Sequence, residues 1–250
     1  METVDLIDFV KKELKGKRFI FYTLSGAHLY GFPSVDSDYD IRGCHIMNAR
    51  EVCGLRPPKD FIEKTDGDID FVSFDIKKEL NLVVKNNSNV LEHIFALPLV
   101  EENAFTDLKN IADMALSKTV FDSYHGLAMH NWKKYILTKN SAYEKSSVKK
   151  YLYVLRSQMA GIYALEHGRI EPDIRVLNRY FSYSVVDELI DSKTGGSEKM
   201  LIQSVEEANK LIAKLWTDLD ASKENSNLPD HPPEKVYEAA NNFLLECREL

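Results

Sequence analysis

Asp38 and Asp40 stand one residue apart in the run Ser37-Asp38-Tyr39-Asp40-Ile41-Arg42, whose aromatic and β-branched residues read as a strand. The period of two then places both carboxylates on one face and turns Tyr39 and Ile41 to the other. Two like charges side by side are unfavourable unless a cation bridges them or one takes a proton. Hard divalent ions, Mg²⁺ or Mn²⁺, are the natural partners, since they are held by a few carboxylate oxygens together with substrate phosphates. Such sites usually hold a third carboxylate. Asp70, at the head of the strand-like segment DFVSF, is the candidate; Asp68 shares its parity, and Asp66 reads as part of a turn.

The complementary half lies upstream, in Ser25-Gly26-Ala27-His28-Leu29-Tyr30-Gly31. Small residues at Gly26 and Ala27 leave backbone N–H groups open to an anion, with a short helix expected over Ala27 to Tyr30. Phosphoryl transfer needs chiefly positioning and charge neutralisation, and this turn beside an acidic pair offers both. The phosphate-binding candidates are therefore Ser25, Gly26 and Ala27, with Arg42, Lys149 and Arg156 as further nucleotide-binding candidates whose other reading is structural pairing for Arg42 and a solvated cationic face for Lys149 and Arg156. Arg42 can either pair with a neighbouring carboxylate or contact phosphate. Lys149 and Arg156 are seven apart, so a helix places them on one face, with Tyr153 between them available for stacking on a base. Lys133 and Lys134 read as a solvated cationic face. His125 and His130 lack the one-turn spacing of a helical zinc pair. His28 falls inside the turn, where it can touch substrate or serve as a local cap.

These groups need a scaffold. Val4, Leu6, Ile7, Phe9, Val10 and Leu14 recur at helical spacing before Gly16, and RFIFYTL at 18–24 reads as a strand running into the Ser25-Gly26 turn. YDIRGCHIM supplies a second strand and Ile69–Phe74 a third. From about residue 75 the pattern becomes helical and no strand is expected to return. In the helix over 147–167, Val148, Leu152, Leu155, Met159 and Ile162 form one apolar stripe. Loops are expected at DSKTGGSEK, 191–199, and ASKENSNLPDHPPEK, 221–235. The fold class is α+β: a mixed sheet with flanking helices in residues 1–102, followed by an all-helical domain in 103–250.

The chain has 250 residues, 44% hydrophobic and 28% charged, as expected for a soluble globular protein. A net charge of −7 argues against a surface that grips nucleic acid throughout, while leaving room for a local basic groove. Cys44, Cys53 and Cys247 are odd in number and lack metal-like spacing, so buried or idle thiols are expected. No apolar run is long enough for a membrane span, and METVDLIDFVKKELKGK lacks the apolar centre of a secretory signal, so the expected location is the cytoplasm.

Gly26-Ala27, ten intervening residues and Asp38-Tyr39-Asp40 resemble the Gly-Ser, Asp-x-Asp signature of the DNA polymerase beta superfamily. The longer pattern, with Tyr30-Gly31, Ser37 to Asp40 and Arg42-Gly43, is similar to its RNA-repair-pathway branch of nucleotidyltransferases. DFVSFDIKKEL from Asp70, KNNSNVLEHIF at 85–95 and LPDHPPEKV extend that likeness over nearly the whole chain. The resemblance implies a nucleotidyltransferase fold, metal-binding aspartates at Asp38, Asp40 and Asp70, a nucleoside triphosphate substrate, and an RNA or tRNA 3′ end as acceptor. Ala27 departs from the usual Ser, removing a hydroxyl that helps hold the triphosphate. Protein nucleotidylation and nucleotide or RNA binding without catalysis remain as alternatives.

Overall fold

Arg18–Leu24 forms strand β1 and Tyr39–Ile46 forms β2, the two strands expected on either side of the glycine turn; β2 takes in Asp40 but begins one residue after Asp38, which the sequence pattern places in the same strand. The structure, a computed structural model, describes residues 3–137, 147–195 and 202–249. Three further strands complete the sheet: β3, Phe61–Asp66; β4, Ile69–Asp75; and β5, Pro98–Glu101. Their order is β3-β4-β2-β1-β5, with β2 and β4 parallel and the other neighbours antiparallel. This is the mixed sheet of an α+β protein. Two strands depart from the sequence reading. β5 corrects the expectation that no strand follows residue 75; at four residues it is too short to show a period. β3 is a largely exposed edge strand with polar and charged residues interspersed, which masks its pattern.

The helices are α1, Thr3–Leu14; α2, Gly26–Tyr30; α3, Ala49–Val52; α4, Ile76–Val83; α5, Ser88–Phe95; α6, Phe105–Ala115; α7, Val120–Asn131; α8, Val148–His167; α9, Ile174–Phe181; α10, Ser184–Thr194; α11, Ile202–Asn225; and α12, Glu234–Cys247. A π-helical turn, Trp132–Ile136, follows α7. The loop expected from 191 starts later, because α10 continues to Thr194; residues 196–199 lie outside the described residues. The sequence places one domain boundary at residue 102. The contacts divide the chain into a sheet unit, Met1–Gly26, Asp38–Leu116 and Pro232–Leu250, and a helical unit, Ala27–Ser37 and Ser117–His231. Periodicity identifies α6 and α12 as helices but cannot say that they pack with the sheet.

In the sheet unit, Leu6, Val10 and Leu14 of α1 cover Tyr22, Ile41, Ile69 and Phe71. Burying each of these side chains contributes about 1.5–3 kcal/mol, and together they fix which face of β2 is dry. Behind the strands, Tyr22 Oη and His45 Nδ1 lie 2.7 and 2.8 Å from Ser73 Oγ, and burial lowers the His45 pKa. Asp75 anchors the unit's far end. It caps α4 at Lys77 N–H, accepts from Met47 N–H, and pairs with Arg248 just beyond α12. Both partners of that pair are buried, so removing either leaves an uncompensated charge, at about 3–5 kcal/mol.

Glu79 of α4 is buried, and burial pushes its carboxyl from an ordinary 4.5 up to about 8. The folded state therefore keeps a proton that the unfolded chain gives up above pH 4.5, so this group's contribution falls as pH rises from about 4.5 to about 8. Glu79→Gln removes that dependence. In urea titrations it is expected to match wild type near pH 4.5 and to exceed it by a few kcal/mol at pH 9.

In the helical unit α8 is central. Its expected stripe is wholly buried, Gly161 lets Tyr124 and Leu219 approach closely, and 14 of its residues are buried. Cys44 and Cys247 are buried, which raises both thiols, Cys247 to about 11; Cys53 is exposed. Among the described residues no helix is long and apolar enough to cross a membrane.

Candidate active site

The parallel register of β2 and β4 sets Asp40 opposite Asp70, with Ile41 opposite Phe71 and Arg42 opposite Val72. Because Ile41 and Phe71 face the α1 core, alternation sends Asp40, Asp70 and Arg42 to the other face of the sheet. There one nitrogen of Arg42, Nη2, donates to Asp40 Oδ1 at 2.8 Å and to Asp70 Oδ2 at 2.7 Å. Nη1 donates to the carbonyls of Ile41 and Asp70 at 3.0 and 2.7 Å. Of the two roles open for Arg42, the structure shows carboxylate pairing. Asp38 lies exposed at the entrance to β2, and its carboxylate has no partner among the described residues. Asp66, expected in a turn, is the last residue of β3 and pairs with Ile69, while Asp68 lies in the β3–β4 turn, where its carbonyl accepts from Tyr39 N–H at 2.8 Å.

The glycine turn meets this face directly. Ser25 N–H donates to the Asp40 carbonyl at 2.7 Å, continuing the β1–β2 pairing by one residue. Gly26 follows with φ +60°, and a Cβ placed on it would lie 1.9 Å from Asp40 Oδ2. Only glycine tolerates both the left-handed backbone and the carboxylate pressed against its Cα. Ser25, named as a nucleotide contact, is 5% exposed, and its Oγ lies 2.9 Å from His93 Nε2. His93 escaped the sequence reading as a functional residue. Its one signal was its place in KNNSNVLEHIF.

The remaining named residues belong to the helical unit. Ala27 is buried at the start of its segment. Arg156 is fully buried, its guanidinium carbon 3.7 Å from the centroid of the Tyr30 ring. Tyr153 packs edge-on against Tyr30 and Phe32, with ring centroids 5.7 and 5.6 Å away, so its ring contributes to internal packing. Lys149 is exposed. The seven-residue spacing holds, but Lys149 and Arg156 do not form one solvent-facing cationic surface, because α8 is enclosed along most of its length. Gly31, φ +85°, makes room for the Asp173 carboxylate, and Lys193 donates to Ser34 Oγ at 3.0 Å. Lys133 and Lys134 are exposed, and His125 stacks on Phe121 with Trp216 at its edge.

The donor set suits a hard divalent cation. It consists of carboxylate oxygens, and two of them already converge on a positively charged nitrogen. Among the described residues no three His, Cys, Asp or Glu side chains are gathered into a ready metal cage. The cavity of about 540 Å³ in the sheet unit lies at the other end of β1, lined by Lys17, Arg18, Glu102 and Glu246, and contains none of the named residues. The chemical arrangement, not cavity size, singles out the Asp40 face.

A sequence model of the RNA repair pathway DNA polymerase beta family matches residues 3–246. An uncharacterized protein of Methanocaldococcus jannaschii is 33% identical over 228 residues, covering 86% of this chain and 88% of the relative. An uncharacterized protein of Bacillus subtilis is 28% identical over 233 residues, covering 88% of this chain and 87% of that relative.

Proposed function

Because the chain belongs to the RNA repair pathway DNA polymerase beta family, we propose that it is a metal-dependent nucleotidyltransferase. It moves a nucleoside monophosphate from a nucleoside triphosphate to an acceptor hydroxyl, and the acceptor is an RNA 3′ end. The observation that carries this reading is the alignment of Asp40 with Asp70 across β2 and β4, with Gly26 against the Asp40 carboxylate. Two acids are held side by side next to a backbone turn free of side-chain bulk.

Asp38, Asp40 and Asp70 are the residues that would hold Mg²⁺ or Mn²⁺. When bound, such an ion would supply charge neutralisation for phosphoryl transfer. Backbone N–H groups of Gly26 and Ala27 bind the triphosphate in place of the missing serine hydroxyl. Arg42 keeps Asp40 and Asp70 in one geometry through its four hydrogen bonds. In the reaction the acceptor oxygen bonds to the α-phosphorus as the α–β bridging bond breaks. Pyrophosphate leaves, and the acceptor's proton passes to Asp70.

The test is incubation with Mg²⁺, each α-³²P-labelled nucleoside triphosphate and RNA bearing a free 3′ hydroxyl. The expected result is label on the RNA with release of pyrophosphate. Label on a co-purifying protein instead would mean protein nucleotidylation, and nucleotide binding with no turnover would mean a non-catalytic binder.

A further inference from the structure

We infer that His93 and Ser25 form a positioning pair that sets the nucleotide-holding turn, an assignment that rests on the proposed role of that turn. Ser25 is joined to Asp40 through its main chain and precedes the glycine whose Cα touches the Asp40 carboxylate. Its buried side chain has one described partner, the His93 imidazole, with Oγ 2.9 Å from Nε2. His93 in turn stands on a well-fixed helix. Asn87 caps α5 at Val90 N–H, and Val90, Leu91 and Ile94 are buried. The turn is thus tied on one side to β2 through the Ser25 N–H and on the other to α5 through the Ser25 hydroxyl.

The tie explains how a turn with alanine in place of serine keeps a defined shape. Ser25 is too buried to offer its hydroxyl as a ready phosphate ligand, and spends it on His93. Backbone donors bind an anion well only when already aimed at it, so loosening either anchor weakens nucleotide binding without removing a carboxylate.

The experiment measures equilibrium binding of a non-hydrolysable ATP analogue with Mg²⁺ by calorimetry, which needs no turnover. Ser25→Ala and His93→Ala are each expected to weaken binding about tenfold, the scale of one well-placed hydrogen bond. The double variant is expected to lose no more than either single one, because both remove the same bond. His93→Gln, whose amide nitrogen reaches the Nε2 position, should restore most of the affinity, while the shorter His93→Asn should not. A purely structural loss would not distinguish Gln from Asn in this way. Unchanged binding in both alanine variants, or additive losses in the double one, would overturn the pairing. Wild-type binding without transfer to any acceptor would count against the proposed reaction alone; no wild-type binding would overturn both.

Discussion

Asp40→Asn is expected to lower nucleotidyl transfer by roughly 10²–10³-fold, the scale of losing one preorganised group that acts on developing charge. The substitution keeps the shape of the side chain and removes its charge. Arg42 retains Asp70 and the carbonyls of Ile41 and Asp70 as acceptors, so the fold should survive with only a small fall in thermal midpoint. Rate and stability therefore separate in this variant. The checks are initial rates at saturating Mg²⁺ beside a thermal melt. A rate near that of wild type would remove Asp40 from the chemistry.

Gly26→Ala is expected to be nearly as damaging, by a different route. A non-glycine residue at φ +60° costs about 1–3 kcal/mol, which urea unfolding would read as lost stability. The new methyl would also have to occupy the place of Asp40 Oδ2, so the carboxylate must turn away. Transfer should fall about 10²-fold, and combining the change with Asp40→Asn should add little further loss, since both act on one carboxylate. Gly67→Ala is a useful control. That glycine also has positive φ, +57°, but a Cβ there meets nothing within 4 Å, so it isolates the backbone penalty.

The sequence shows the parts that local pattern controls. The strand through Asp40, the small-residue segment with its short helix and the strand at Asp70 all follow from residue types within a few positions, and the structure has strand, short helix and strand there, with Asp38 one residue ahead of β2 and outside its alternation. It does not show that Asp40 and Asp70 are register partners, since a parallel pairing across 30 positions is settled by packing elsewhere in the sheet. Arg42 stayed ambiguous for the same reason, because both roles begin from the same strand position. Arg156 marks another limit. Its spacing from Lys149 is readable, but the assumption that a charged residue on a helix faces water fails for a helix enclosed on most sides. His93 lies 68 positions from Ser25, and nothing in either local segment announces the hydrogen bond between them.

The proposed reaction depends on a divalent ion bound at the Asp40 face of the sheet beside a triphosphate. It is tested most directly by a crystal structure with Mn²⁺ and a non-hydrolysable nucleoside triphosphate, using the anomalous signal to locate the metal. A manganese peak is expected on the Asp40 carboxylate, with phosphate oxygens nearby and the triphosphate against the Gly26-Ala27 turn. A nucleotide bound elsewhere, with Arg42 still bridging Asp40 and Asp70 and no manganese on either carboxylate, would contradict it.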